Sequence, residues 1–230
     1  KQTEIGKTKS VVPHLLEWAT GLSERKMESD RPPHFKVILG SSSIARRSIL
    51  TDMGYQFTLM SADIDEKSIR KEKPEELVLA LAEAKAEAIV QRIPDDVEDK
   101  PTLLVTCDQV VVYEDAVREK PSSVVEAREY IRSYSKGHTA TVSSVVVTNL
   151  NTGFRKGGVD RVEIYFNEIS EEIIDKLIEE GMVLRVAGAL LIEHPLILPC
   201  IKQVVGTTDS VMGLPKELTE KLLKEVLTTT

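Results

Sequence analysis

Between residues 103 and 113 the chain reads LLVTCDQVVVY, a nearly unbroken apolar run of strand-forming residues. Such a strand needs cover on both faces, because a half-solvated strand would alternate apolar and polar positions. The sequence around it supplies the covering layers. A strand over 35–39, a helix over 43–53, a strand over 55–61 and a long helix over about 75–91 precede the run. Pro74 opens that long helix, with Glu75 and Glu76 in its first turn. Beyond the run, the capping-box pair Ser123 and Glu126 starts a helix to about 135, and strands follow near 139–148 and 159–166 across the turn-rich NLNTGFRKGG. Ser170 with Glu171 and Glu172 opens a helix to about 180, and Pro215 opens the last one. The alternation predicts an α/β fold: a mixed twisted sheet flanked by helices.

The 230 residues, 41% hydrophobic and 29% charged, suit one large domain or two small ones with a real core. Residues 1–33 are more polar and end in Arg31-Pro32-Pro33, which cannot continue a helix. They read as an N-terminal extension, in which His14, Leu15, Leu16, Trp18, Ala19 and Leu22 make one face of a short amphipathic helix. Residues 34–230 then form a single domain. A net charge of −7 argues against binding along nucleic-acid backbones, which takes a surplus of Lys and Arg. Cys107 and Cys200 lie far apart in no metal-type spacing, so neither a disulfide framework nor a zinc site is indicated, and a reducing, cytoplasmic setting is expected. No apolar run approaches the ~20 residues of a membrane span, and the N-terminus lacks a signal-peptide core.

Four local features carry chemistry. The segment VILGSSSIARRSIL, residues 37–50, runs a strand through Gly-Ser-Ser-Ser into a helix. With Ser43 as N-cap, the helix start offers free N–H groups and a positive dipole end to a phosphate, and Arg46 in the first turn opposes that dipole unless an anion is near. An ordinary capped helix with a solvated Arg pair is the other reading of these residues. Asp108 interrupts the apolar run, and a buried carboxylate must be paired, bind a metal or shift its pKa; its alternative is a strand-end cap of a turn. Lys85 falls between Leu81 and Ile89 on the inward arc of a stripe formed by Leu77, Leu81, Ala84 and Ala88, so it either snorkels outward or aims at an anion. The fourth, Glu119-Lys120-Pro121, places a lysine in a rigid loop just after the Asp108 strand.

Together these segments resemble the Maf family of nucleoside triphosphate pyrophosphatases. The matching pieces are ILGSSSIARRSIL, IDE at 64–66, LAEAKAEAIV at 81–90, TCDQVV at 106–111, EKP at 119–121, KGH at 136–138, AGALLIEHPL at 187–196 and VMGLP at 211–215. They stand in the family's order over roughly residues 35–227, which is far more specific than any one of them. The resemblance implies that Ser41, Ser43 and Arg46 hold the triphosphate, and that Lys85 and Lys120 neutralise phosphate oxygens as charge moves to the leaving group. It implies that Glu66, Asp108 and Glu193 bind a divalent cation, magnesium or manganese, and orient or deprotonate the attacking water. Asp108, Glu66, Lys85 and Lys120 would be catalytic, with Gln109 and Glu193 among the substrate contacts. Water would attack the phosphate nearest the ribose, releasing a nucleoside monophosphate and pyrophosphate. An elongated, two-lobed body with a central cleft, pairing as a homodimer, comes with the family, and Gly188 and Gly213 would lie near the cleft floor. A triphosphate carries about four negative charges, which one Arg, two Lys and a metal can balance even in an acidic protein. No cysteine or serine–histidine nucleophile is called for. His138 and His194 are expected to be structural or base-contacting.

Ile44 and Ala45 stand where the family's common loop has Pro and Arg, so its geometry can differ slightly. Gln109 and Glu193 replace the Thr and Gln of one branch, and both resemble the branch linked to modified nucleotides such as 7-methyl-GTP, rather than the one linked to dTTP and UTP. Two other functions fit less well: a house-cleaning pyrophosphatase for deaminated purines such as ITP or XTP, and a non-catalytic nucleotide-binding regulator, suggested by the family's link to septum formation and cell division. A sensor has no need of the acidic trio beside the cations.

Overall fold

The computed structural model describes residues 34–93 and 100–229, so the N-terminal extension and the helix expected at 14–22 lie outside the described residues. In chain order the elements are β1 (Lys36–Gly40), α1 (Ile44–Asp52), β2 (Phe57–Leu59), α2 (Pro74–Val90), β3 (Thr102–Tyr113) and β4 (Ala116–Arg118). They continue with α3 (Val124–Tyr134), β5 (His138–Asn149), β6 (Arg155–Phe166), α4 (Glu171–Glu180), β7 (Ile201–Val205), α5 (Thr208–Val211) and α6 (Lys216–Thr228). One seven-stranded sheet runs in the order β2-β1-β3-β5-β6-β7, with β4 paired to β3. Strand β1 is parallel to both β2 and β3, whereas β3, β5, β6 and β7 are antiparallel in succession, so the sheet is mixed as the alternation predicts.

Start signals written in the sequence act as read: Ser43, Ser123 and Ser170 each accept a hydrogen bond from the backbone three residues on, and Pro74 opens α2. Boundaries shift where pairing decides them. The strand expected over 55–61 shortens to β2, which pairs only with Val37–Leu39, and the strand expected from 159 begins at Arg155 because β5 offers partners out to Thr148. Helix α2 buries Leu77, Val78, Leu81, Ala82, Ala86 and Ile89, so its inner stripe is rotated slightly from the one read in the sequence, and Ala84 and Ala88 lie at its margin.

The core is divided, and the division places the site. On one face of β3, Leu103, Val105 and Cys107 pack with Leu39 of β1, Leu50 of α1 and Leu223 of α6. Farther along the same face, Val111 joins a second cluster with Ile131 and Tyr134 of α3 and Leu177 of α4. Gln109 lies between the two. The opposite face is covered by α2, with Leu104 against Ile89 at one end and Val110 and Val112 against Leu77 and Leu81 at the other. Asp108 lies between those. Asp108 and Gln109 thus mark a seam across both faces, and β5 answers with its own polar pair: Asp108 pairs in register with Ser144, and Gln109 with Ser143. Among the described residues, no helix is long and apolar enough to cross a membrane.

Candidate active site

Helix α1 follows strand β1 after the three serines 41–43. Ser43 caps it, its Oγ accepting from the Arg46 amide at 3.4 Å, while Ser41 Oγ accepts from the Ser43 amide at 3.2 Å. As acceptors in these bonds both hydroxyls keep their O–H donors for another group. Arg46 is clamped across the chain rather than solvated: Nε donates to Gly213 O at 2.8 Å and Nη1 to Cys107 O at 3.1 Å, with Ser41 Oγ 3.5 Å away. Among the described residues Nη2 has no hydrogen-bond partner, so a rigidly held guanidinium presents a free donor beside a helix N-terminus. Arg46 is therefore not one of a solvated surface pair.

On the other face, Lys85 reaches inward from α2. Its Nζ lies 2.5 Å from Asp108 Oδ1 and 2.8 Å from Glu66 Oε1, with the Lys85 and Asp108 side chains only 13% and 11% exposed. Glu66 comes from a short turn, Glu66–Ser68, capped by Asp65 Oδ1 accepting from the Lys67 amide at 3.1 Å. Burial pushes the Asp108 carboxyl above the usual aspartate range, and Lys85 and Arg46 only partly offset it. Burial also acts to raise Glu66, yet Lys85, followed by Lys120 and Arg46, outweighs it and holds that carboxyl below the usual range. Two neighbouring acids are thereby driven apart in basicity, a pattern characteristic of acid–base sites. Lys120 is exposed and contributes as charge on Glu66. Its loop is pinned: Gly188 N donates to Glu119 O at 2.9 Å, and Tyr134 Oη donates to Gly188 O at 2.8 Å.

Arg46, Lys85 and Lys120 therefore act on Glu66, and Arg46, Lys85 and Glu66 act on Asp108. Glu193 is half-buried; burial pushes its carboxyl up, and the groups opposing that are its own backbone and His194. Among the described residues, no cluster of three or more His, Cys, Asp or Glu is arranged to hold a metal, so the donors available at the seam are the Glu66 and Asp108 carboxylates, both hard oxygen ligands suited to a hard divalent ion. Gln109 turns its amide nitrogen away from Asp108, toward Ser143 Oγ, Ser210 O and Val211 O. His194 bridges Glu180 Oε2 at 2.7 Å and accepts from the Leu196 amide, while His138 stacks on Tyr165 with ring centroids 5.3 Å apart. Burial pushes the Cys107 thiol up to about 11, so it is protonated at neutral pH and no thiolate nucleophile is present there.

The sequence reading omitted the carbonyls of Cys107 and Gly213, which hold Arg46, and Ser143, Ser144 and Ser210, which line the seam. A signal existed for part of this. Ser143-Ser144 interrupts the apolar run of β5 just as Asp108-Gln109 interrupts that of β3, and adjacent polar pairs in two buried strands point to a shared seam.

The family model for Maf-like proteins matches residues 36–226. A 7-methyl-GTP pyrophosphatase from Dictyostelium discoideum is 44% identical over 192 residues, 83% of this chain and 96% of the relative. A dTTP/UTP pyrophosphatase from Alkaliphilus metalliredigens (strain QYMF) is 29% identical over 182 residues, 78% of this chain and 90% of the relative. A nucleoside triphosphate pyrophosphatase from Salinispora tropica is 27% identical over 191 residues, 83% of this chain and 84% of the relative.

Proposed function

This chain belongs to the Maf-like family, and we propose that it is a pyrophosphatase that hydrolyses nucleoside triphosphates to a nucleoside monophosphate and pyrophosphate. The observation that carries the reading is the bridge from Lys85 to both Glu66 and Asp108, beside the clamped guanidinium of Arg46. The α1 N-terminus, the hydroxyls of Ser41 and Ser43 and Arg46 Nη2 bind the polyanion. Asp108, made more basic by burial, takes a proton from the attacking water at Oδ2, the oxygen that Lys85 does not engage. Water attacks the phosphorus nearest the ribose, the bond to the bridging oxygen of the next phosphate breaks, and pyrophosphate leaves. Arg46, Lys85 and Lys120 stabilise the charge that builds on the departing oxygens.

Glu66 and Asp108 would hold a magnesium or manganese ion, which when bound supplies charge neutralisation at the phosphates and acidifies water. The preferred substrate is a modified nucleotide of the 7-methyl-GTP type. The 44% identity with the Dictyostelium discoideum 7-methyl-GTP pyrophosphatase supports this, as do Gln109 and Glu193 at the two branch-distinguishing positions. A pyrophosphate-release screen over canonical and methylated triphosphates, with magnesium or manganese, tests both claims. Preferential turnover of 7-methyl-GTP is expected. Strong preference for dTTP overturns the substrate assignment, and no release from any triphosphate overturns the reaction.

A further inference from the structure

We infer that Gln109 is a positioning residue that aims Arg46 at the phosphates, rather than a contact to the base; the inference rests on the pyrophosphatase reading above. The carboxamide has one orientation that satisfies its surroundings. Its nitrogen lies 2.7 Å from Val211 O, 3.0 Å from Ser210 O and 2.9 Å from Ser143 Oγ, and two carbonyl oxygens at one end of an amide can be met only by its NH2 group. Both amide hydrogens are therefore committed inside the protein.

The carbonyls it holds end α5, a single turn that runs through Met212 to Gly213. Gly213 O is the acceptor for Arg46 Nε at 2.8 Å. The packing there is close enough to transmit a shift: with Gly213 at φ +94°, a Cβ added to it would lie 3.0 Å from Arg46 Nε, 3.1 Å from Nη2 and 3.3 Å from Gln109 Oε1. Ser143 Oγ donates to Ser210 O at 2.9 Å and braces the same turn from β5. Strand β3 thus grips the arginine twice, directly through Cys107 O and indirectly from Gln109 through α5 to Gly213. A shorter side chain at this position, such as threonine, cannot span to the α5 carbonyls.

The test uses Gln109→Met, which keeps the length and loses both donors, and Gly213→Ala, which crowds Arg46 most closely, and Gln109 Oε1 less so, while leaving the Gln109 donors in place. In the full chain, below the melting temperature of every variant, kcat/KM is measured for a panel of triphosphates, and inorganic tripolyphosphate serves as a base-free probe, read both as inhibition and as direct binding by calorimetry. Both variants are expected to lose about tenfold in kcat/KM, by the same factor for every base, as one lost hydrogen bond would produce. Tripolyphosphate inhibition is expected to weaken in parallel, and Gln109→Met is expected to have little further effect in an Arg46→Ala background. A changed base preference with tripolyphosphate inhibition intact overturns the inference, and so does a lower melting temperature with neither quantity moved. If the unaltered chain releases no pyrophosphate but the variants still weaken tripolyphosphate binding, the reaction fails and the positioning role stands.

Discussion

Lys85 on α2 and Asp108 on β3 form an ion pair of 2.5 Å between side chains that are 13% and 11% exposed. The same ammonium reaches Glu66 at 2.8 Å, so one cation from a helix holds two acids from separate segments. In a low-dielectric seam such a bridge sets the protonation of both acids, and that gives it a pH signature.

Burial raises the Asp108 pKa, and Lys85 is the largest influence pulling it back. Only the ionised carboxylate can accept a proton from water, so activity is lost as pH falls through that pKa. Lys85→Met removes the opposing charge and raises the pKa further. The acid limb of the pH profile of kcat/KM is therefore expected to move to higher pH in this variant, on top of an overall loss of rate. A limb that stays in place or moves to lower pH contradicts the coupling.

Arg46 meets Gly213 O, Cys107 O and Ser41 Oγ through the fixed fork of a guanidinium, a geometry that an ammonium cannot copy. Arg46→Lys is expected to behave much like Arg46→Ala, each lowering kcat/KM for triphosphates by about 10²–10³-fold, the size of a lost transition-state donor. Near-complete rescue by lysine would mean that charge alone matters and the clamp does not.

The element order and the polar site candidates were legible because each rests on local chemistry: Ser43, Ser123 and Ser170 cap helices, Pro74 opens one, and Asp108 is conspicuous in an apolar strand. The grip on Arg46 was not legible, because its acceptors are backbone carbonyls of residues 61 and 167 positions away, and any residue can supply a carbonyl. Strand β4 and helix α5, of three and four residues, are too short for periodicity to register.

Tyr134 is 1% exposed, and its hydroxyl donates to Gly188 O, whose residue in turn donates to Glu119 O beside Lys120. Tyr134→Phe leaves that carbonyl without its donor and is expected to lower stability by about 1–3 kcal/mol in chemical denaturation. It is also expected to raise KM modestly, because the Lys120 loop loses its brace. A variant as stable as the parent would show that the contact holds nothing in place.

Excess chelator is expected to abolish pyrophosphate release, with magnesium or manganese restoring it, because Lys85 is already paired to both carboxylates and a bound polyphosphate adds about four negative charges beside them. Glu66→Gln is expected to raise the metal concentration needed for half-maximal activity. Full activity in chelator would remove the metal from the mechanism.

Pyrophosphate release by Asp108→Asn, measured with saturating metal and triphosphate, tests most directly whether this carboxylate drives the hydrolysis. Turnover is expected to fall by about 10²–10⁴-fold, the usual contribution of a general base, while the chain stays folded. Turnover close to that of the unaltered chain would contradict the assignment of Asp108.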